Sequence, residues 1–251
     1  MTKVLPDIYL RRPFAHRGLH EADDGRSENS RAAAEAAIRN GYGIELDVQG
    51  TADAGAVVFH DYALDRLTGA TGSVRRYTVG ELADIRLTGG DEGVPSLAEF
   101  LELVAGRAPV LLEIKDQDGA LGKDVGPLEL AVAVALDGYD GDVAVMSFNP
   151  HSVAALKVLA PERPRGLVTG AFPPGKRPVP EAILARLRGI PDYDRTGSVF
   201  ITHQARDLDR ARVAELKRGG ATVLCWTVRS PEDEREARKV ADNVTFEGYL
   251  A

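Results

Sequence analysis

Eight short apolar, β-branched runs alternate with amphipathic helical stretches along this chain, and polar residues cluster where the runs end. These two observations predict an α/β fold, specifically a closed (β/α)8 or TIM barrel with residues at the mouth of its parallel strands. Eight evenly spaced short strands favour closure over the alternative, an open doubly wound sheet. A length of 251 residues fits one domain over residues 1–251, and 44% hydrophobic residues suffice for a substantial core.

The strands are expected at Pro13–His16, Gly43–Val48, Val110–Ile114, Val143–Ser147, Arg165–Thr169, Ser198–Thr202, Thr222–Trp226 and Asn243–Phe246. Helical patterns lie between them at Ser27–Asn40, Ser96–Ala105, Pro127–Leu136, Pro150–Leu159, Pro180–Arg188, Asp207–Arg218 and Pro231–Val240. Several open at a Ser, Asn or Asp cap or at an early proline, and several stop at glycine. Ser27 is read as the cap of the helix from Glu28 to Asn40, with Gly41 as its stop. The segment from about 50 to 93 is too long for a simple loop. Its Asp53-Ala54-Gly55 turn joins two extended runs as a hairpin, and a short helix follows near Val79–Ile85. It reads as a small insertion after the second strand, at the barrel mouth. After the last strand, Glu247 to Ala251 is expected to hold no eighth helix.

With 31 Lys+Arg against 38 Asp+Glu, the net charge is −7, and no basic block or aromatic-basic alternation occurs. Nucleic acid is therefore not an expected partner, because counterion release needs concentrated positive surface. Met1 to Phe14 carries Lys3, Asp7, Arg11 and Arg12 without a long apolar run, which argues against a signal peptide. No later segment has the apolar length of a transmembrane span. Cys225 is the only cysteine, so no internal disulfide can form, and it reads as a reduced thiol packed in a strand of a cytoplasmic protein. Oligomeric state is not legible.

Glu45 and Asp47 are two apart on a strand, so their side chains leave the same face about 6–7 Å apart. Facing into a barrel they repel, and a hard cation compensates them; the bland alternative is a solvated ion pair at a strand end. Glu113, ending the next barrel strand, supplies a third oxygen. His16 and His60 each follow an apolar run, and imidazole suits an acid and a base on opposite sides of a phosphorus. Arg17 and Lys115 would meet phosphate oxygens; Lys115 is also placed to bridge Glu113 or Asp47, and the two roles are compatible. Glu28 and Asn29 read first as capping and loop bracing, ahead of catalysis. Trp226 either closes the core or walls a substrate pocket; Phe148 poses the same choice, with more weight on the core. His20, His151 and His203 are expected to be structural, although His203 also closes a strand.

With these residues in hand, the chain resembles the glycerophosphodiester phosphodiesterase family, among the phosphatidylinositol-phospholipase-C-like barrel phosphodiesterases. The matching pieces are Ala15-His16-Arg17-Gly18, Glu28-Asn29-Ser30, Glu45-Leu46-Asp47-Val48, Val57 to Asp61 with Leu64-Asp65-Arg66, Glu113-Ile114-Lys115, Ser147-Phe148 and Trp226-Thr227-Val228. The resemblance implies a barrel and one divalent cation, Ca2+ or Mg2+ with Mn2+ as a further candidate, held by Glu45, Asp47 and Glu113. It implies His16 and His60 as the acid–base pair and a small-molecule glycerophosphodiester as substrate, cleaved to glycerol 3-phosphate and an alcohol. Ser27 stands where the family has proline, and Thr245-Phe246-Glu247 replaces the usual Thr-Asp ending, so the pocket wall near Glu247 departs from the pattern. Two other functions compete: a lysophospholipase D-like enzyme, which needs a lipid-facing channel, and a non-catalytic barrel that binds a phosphodiester.

Overall fold

The computed structural model describes residues 4–175 and 179–251; Met1 to Lys3, part of the N-terminal stretch read above, lie outside them. Eight parallel strands form the closed barrel: β1 (Phe14–Ala15), β2 (Gly43–Gly50), β4 (Val110–Ile114), β5 (Val143–Ser147), β6 (Arg165–Thr169), β7 (Phe200–Gln204), β8 (Thr222–Val228) and β9 (Asn243–Phe246). Pairing of β1 with both β2 and β9 closes the ring. Strands covered on both faces need no polar alternation, which is why they read as continuous apolar runs.

Outer helices return the chain between strands: α2 (Arg31–Arg39), α4 (Leu97–Val104), α5 (Pro127–Leu136), α6 (Pro150–Leu159), α7 (Glu181–Arg188) with the short α8 (Tyr193–Thr196), α9 (Ala211–Arg218) and α10 (Pro231–Ala237). Residues 247–251 are not helical, as expected. The α9 pattern begins four residues later than expected, because Ala205–Asp207 forms a 3-10 turn that brings Asp207 back to His203. Among the described residues no helix is long and apolar enough to cross a membrane.

Where the sequence placed a cap at Ser27, the structure differs. The helix starts at Arg31, and its cap is Ser30, whose side chain accepts from the Ala33 N–H at 3.0 Å. Asn29 adopts a left-handed φ of 59°, which no helix can continue through. Ser27 instead donates its hydroxyl to the Thr88 carbonyl.

Two short helices had no sequence expectation, α8 and a helix near the N-terminus. α1 (Ile8–Arg11) sits beneath the barrel, where Leu5 and Tyr9 join Phe14, Leu111, Phe200 and Leu224 in a core cluster that fills its lower end. Asn243 fastens this plug by donating to the Tyr9 and Arg12 carbonyls at 2.8 and 2.7 Å. The barrel is packed so tightly that a Cβ on Gly166 would lie 2.4 Å from the Phe200 ring.

The expected insertion is present. β3 (Ala56–Val58) pairs antiparallel with the end of β2 across the 51–55 turn, and α3 (Val79–Ala83) follows. Val57, Phe59, Leu64, Val74, Leu82, Leu87 and Val94 give the segment a small core of its own. That core holds it as a rigid wall over the strand ends.

Candidate active site

Strand register builds the acidic floor of the site. In β2 and β4, Asp47 lies directly opposite Glu113, and Glu45 points the same way one pleat earlier. All three are buried, at 3%, 1% and 7% exposure for Glu45, Asp47 and Glu113. One carboxylate oxygen from each falls within 4.8 Å of the others. Burial, then the charges of Asp47 and Glu113, push the Glu45 carboxyl well above its usual range. Burial would also raise Asp47, but Lys115, His60 and Arg17 outweigh it and hold that carboxyl well down. Lys115 Nζ bridges Asp47 Oδ1 at 3.2 Å and Glu113 Oε1 at 2.8 Å, as one of its two expected roles requires.

The loop after β1 supplies the second layer. Arg17 takes φ 58° and Gly18 φ 77°, so the chain turns sharply and the Arg17 N–H donates to Glu45 Oε2 at 3.0 Å. A Cβ at Gly18 would lie 2.9 Å from Ala33 backbone, which requires glycine after His-Arg. The Arg17 guanidinium reaches Glu28 at 2.6 Å and stands 3.5 Å from Asp47. Asn29 locks Asp47 from both sides: its Nδ2 donates to Oδ2 at 3.0 Å, and its Oδ1 accepts from the Asp47 N–H at 3.2 Å. Glu28 does not cap a helix; Arg66 holds it in a paired contact of two 2.8 Å bonds.

Each of the two expected catalytic imidazoles is fixed by a carboxylate. His16, following β1, donates from Nδ1 to Glu247 Oε2 at 2.6 Å, and its Nε2 lies 3.9 Å from Glu45. His60, following β3, donates from Nδ1 to Asp61 Oδ1 at 2.6 Å, and Arg66 braces Asp61. The hydrogen bond from His16 leads in holding Glu247 down to about 2. Asp61 also falls to about 2: burial opposes this, but the bonds from Arg66 and His60 prevail. Ionised carboxylates only accept, so each Nδ1 carries the hydrogen and each Nε2 is left for proton exchange. Burial pushes His60 below the usual imidazole value, against the pull of Asp47.

His16, Arg17, Glu45, Asp47, His60, Glu113 and Lys115 all line one cavity of about 820 Å³. Trp226 and Phe148 form part of its apolar wall, in edge-to-face contact with ring centres 5.4 Å apart. The Trp226 Nε1–H donates to the Thr169 and Thr202 carbonyls, at 3.2 and 3.1 Å, and that sets the indole plane. Phe148 is half-buried rather than a core residue, because it closes β5 on the open side of the barrel. His20, His151 and His203 do not line the cavity. His203 is fully buried, within 2.7 Å of Thr169 Oγ1 and 3.0 Å of Asp207 Oδ2, a structural clamp. Cys225 is buried in β8, and burial raises its thiol to about 12.

Sequence reasoning missed Glu247 as the partner of His16 and the double hold of Asn29 on Asp47. For Glu247 a signal existed: it follows the last strand just as His16 follows the first. Arg206 and Arg229, also in the cavity lining, carried none.

The sequence profile of the glycerophosphoryl diester phosphodiesterase family matches residues 16–243. The chain is similar to the Bacillus subtilis protein YhdW, with 29% identity over 86% of each chain. It is also similar to a glycerophosphodiester phosphodiesterase of Caldanaerobacter subterraneus, with 34% identity over 62% of this chain and 65% of that one. Among solved structures, an Oleispira antarctica phosphodiesterase in complex with the product sn-glycerol-3-phosphate shares the fold. Its TM-score is 0.76 at 24% identity, covering 95% of this chain and 93% of that one.

Proposed function

The chain belongs to the glycerophosphoryl diester phosphodiesterase family, and on that premise we propose that it hydrolyses glycerophosphodiesters to glycerol 3-phosphate and an alcohol, using one divalent cation and the imidazoles of His16 and His60. The observation that carries this reading is that both histidines, each with Nδ1 bound by a carboxylate, line the same cavity as the three-carboxylate floor. A non-catalytic barrel would have no use for two imidazoles held in this way.

The donor set fits a hard cation. Three buried carboxylates converge with no sulfur among them, and the raised Glu45 carboxyl marks a place where positive charge is needed. When bound by Glu45, Asp47 and Glu113, Ca2+, Mg2+ or Mn2+ would neutralise phosphate charge and acidify an attacking hydroxyl. Arg17, through its planar fork, and Lys115, as a point charge, orient the non-bridging phosphate oxygens. One imidazole removes the proton of the nucleophile at Nε2, and the other protonates the departing alkoxide.

The nucleophile in this reading is the substrate hydroxyl next to the phosphate-bearing carbon. Its oxygen bonds to phosphorus as the alcohol leaves, giving a cyclic phosphate, and water then opens the ring with acid and base exchanging roles. Attack within one bound molecule gains the advantage of proximity. The test is to incubate the protein with glycerophosphocholine or glycerophosphoethanolamine and added Mg2+ or Ca2+. Equimolar glycerol 3-phosphate and alcohol are expected; no release with any cation refutes the reading.

A further inference from the structure

The catalytic cavity continues into a second one of about 410 Å³, formed over the loops after β7 and β8. The residues lining both are Ala205, Arg206, Thr227 and Arg229, so among the described residues the only charges on the seam are two arginines. Arg206 follows β7 in the 3-10 turn and is exposed; among the described residues no hydrogen bond or ion pair engages its side chain. Arg229 follows β8 and touches Glu247 Oε2 at 3.4 Å, an oxygen already bound to His16 at 2.6 Å. Neither guanidinium is well neutralised. The acids of the second cavity, Asp209, Asp233 and Glu236, line it alone, and Glu236 is paired with Lys239 at 2.6 Å. A group leaving the catalytic cavity by this route therefore meets the two arginines before any of those acids.

We propose that Arg206 and Arg229 form a leaving-group subsite that selects phosphodiesters whose alcohol carries an anion of its own, a carboxylate or a phosphate. The inference rests on the phosphodiesterase reading above and narrows its substrate class. Guanidinium groups pair with both anions in a planar two-point contact. A purely cationic alcohol such as choline finds like charge at the same place.

The experiment compares two pairs of substrates that each differ by a single anion. Glycerophosphoserine and glycerophosphoethanolamine differ by a carboxylate; glycerophosphoglycerol phosphate and glycerophosphoglycerol differ by a phosphate. For the native protein with a divalent cation, kcat/KM is expected to favour the anionic member of at least one pair by about three- to tenfold, the scale of one or two solvent-exposed ion pairs. The pair that responds identifies the source of the anion. Arg206→Gln should erase most of that preference while changing turnover of glycerophosphoglycerol, whose alcohol is uncharged, less than about twofold, and raising the salt to 0.5 M should likewise erase the preference, as screening requires. Equal or reversed preference in both pairs overturns the inference, as does a preference that survives both Arg206→Gln and salt. Absence of turnover on all four diesters removes the parent reading, and the subsite with it.

Discussion

Replacing Glu247 by glutamine separates the charge of the His16 partner from its shape. The amide oxygen can still accept from Nδ1, so the ring keeps its orientation while the carboxylate charge is lost. Glu247 is held down from an ordinary 4.5 to about 2, first by the hydrogen bond from His16, then by the charges of His16 and Arg229 against the cost of burial. At about 1.4 kcal/mol per pH unit this gap has a ceiling of about 3 kcal/mol. The side chain is 25% exposed, and solvent screening reduces the figure to about 1–2 kcal/mol. Because the folded value is depressed, the stabilisation is fully present above pH 4.5 and is lost as pH falls towards 2. Urea unfolding of native and Glu247→Gln proteins should therefore differ by about 1–2 kcal/mol at pH 7 and converge only at about pH 2. In the same variant kcat should fall about 10–100-fold, the usual effect of removing a carboxylate that orients and polarises a functional histidine. Equal stability of the two proteins at all pH values together with unchanged kcat would show that the Glu247 charge neither stabilises the fold nor supports His16.

Removing either active-site imidazole is expected to cost about 10²–10⁴ in kcat. His20→Ala and His151→Ala should stay within a few-fold of native turnover, and near-native activity of His60→Ala would overturn the acid–base assignment. Asn29→Ala leaves a left-handed residue without its side-chain bonds and strips two partners from buried Asp47, so about 2–3 kcal/mol of stability should be lost in urea unfolding. Cation affinity should drop about tenfold or more in the same protein by titration calorimetry, and an unchanged affinity would count against its hold on Asp47. A substrate analogue lacking the hydroxyl beside the phosphate-bearing carbon should bind competitively yet turn over at least about a hundredfold more slowly, given the scale of proximity effects. Near-normal turnover, with solvent oxygen entering the phosphate in one step, would instead establish direct attack by water.

The barrel and its metal-ligand candidates were legible because a parallel strand buried on both faces is written as an apolar run. A polar or ionisable residue inside or just after such a run, as with Glu45, Asp47, Glu113 and His16, stands out against it. Boundaries were less legible where tertiary contacts decide them. Ser27 and Ser30 are equally good caps in sequence; the Thr88 carbonyl engages Ser27, and Asn29, bonded to Asp47, takes a positive φ, so the helix opens at Ser30. The plug at Ile8–Arg11 is too short for helical periodicity to register, and its value lies in contacts with residues up to 234 positions away. Glu247 stands out in sequence only by following the last strand; its pairing with His16 comes from β9 lying beside β1 when the ring closes. The seam arginines follow their strands on exposed loops, where charge is the default and spacing carries no signal.

The proposed function requires that Glu45, Asp47 and Glu113 hold one catalytic cation within reach of His16 and His60. Its most direct test is turnover of a glycerophosphodiester by metal-stripped protein, titrated with Mg2+, Ca2+ or Mn2+ while bound metal is counted, alongside Glu113→Gln. Activity should be absent in chelator and return with one cation per chain, and the variant should bind the ion more weakly and stay nearly inactive. Full turnover in excess chelator, or one equivalent bound undiminished by the variant, would contradict it.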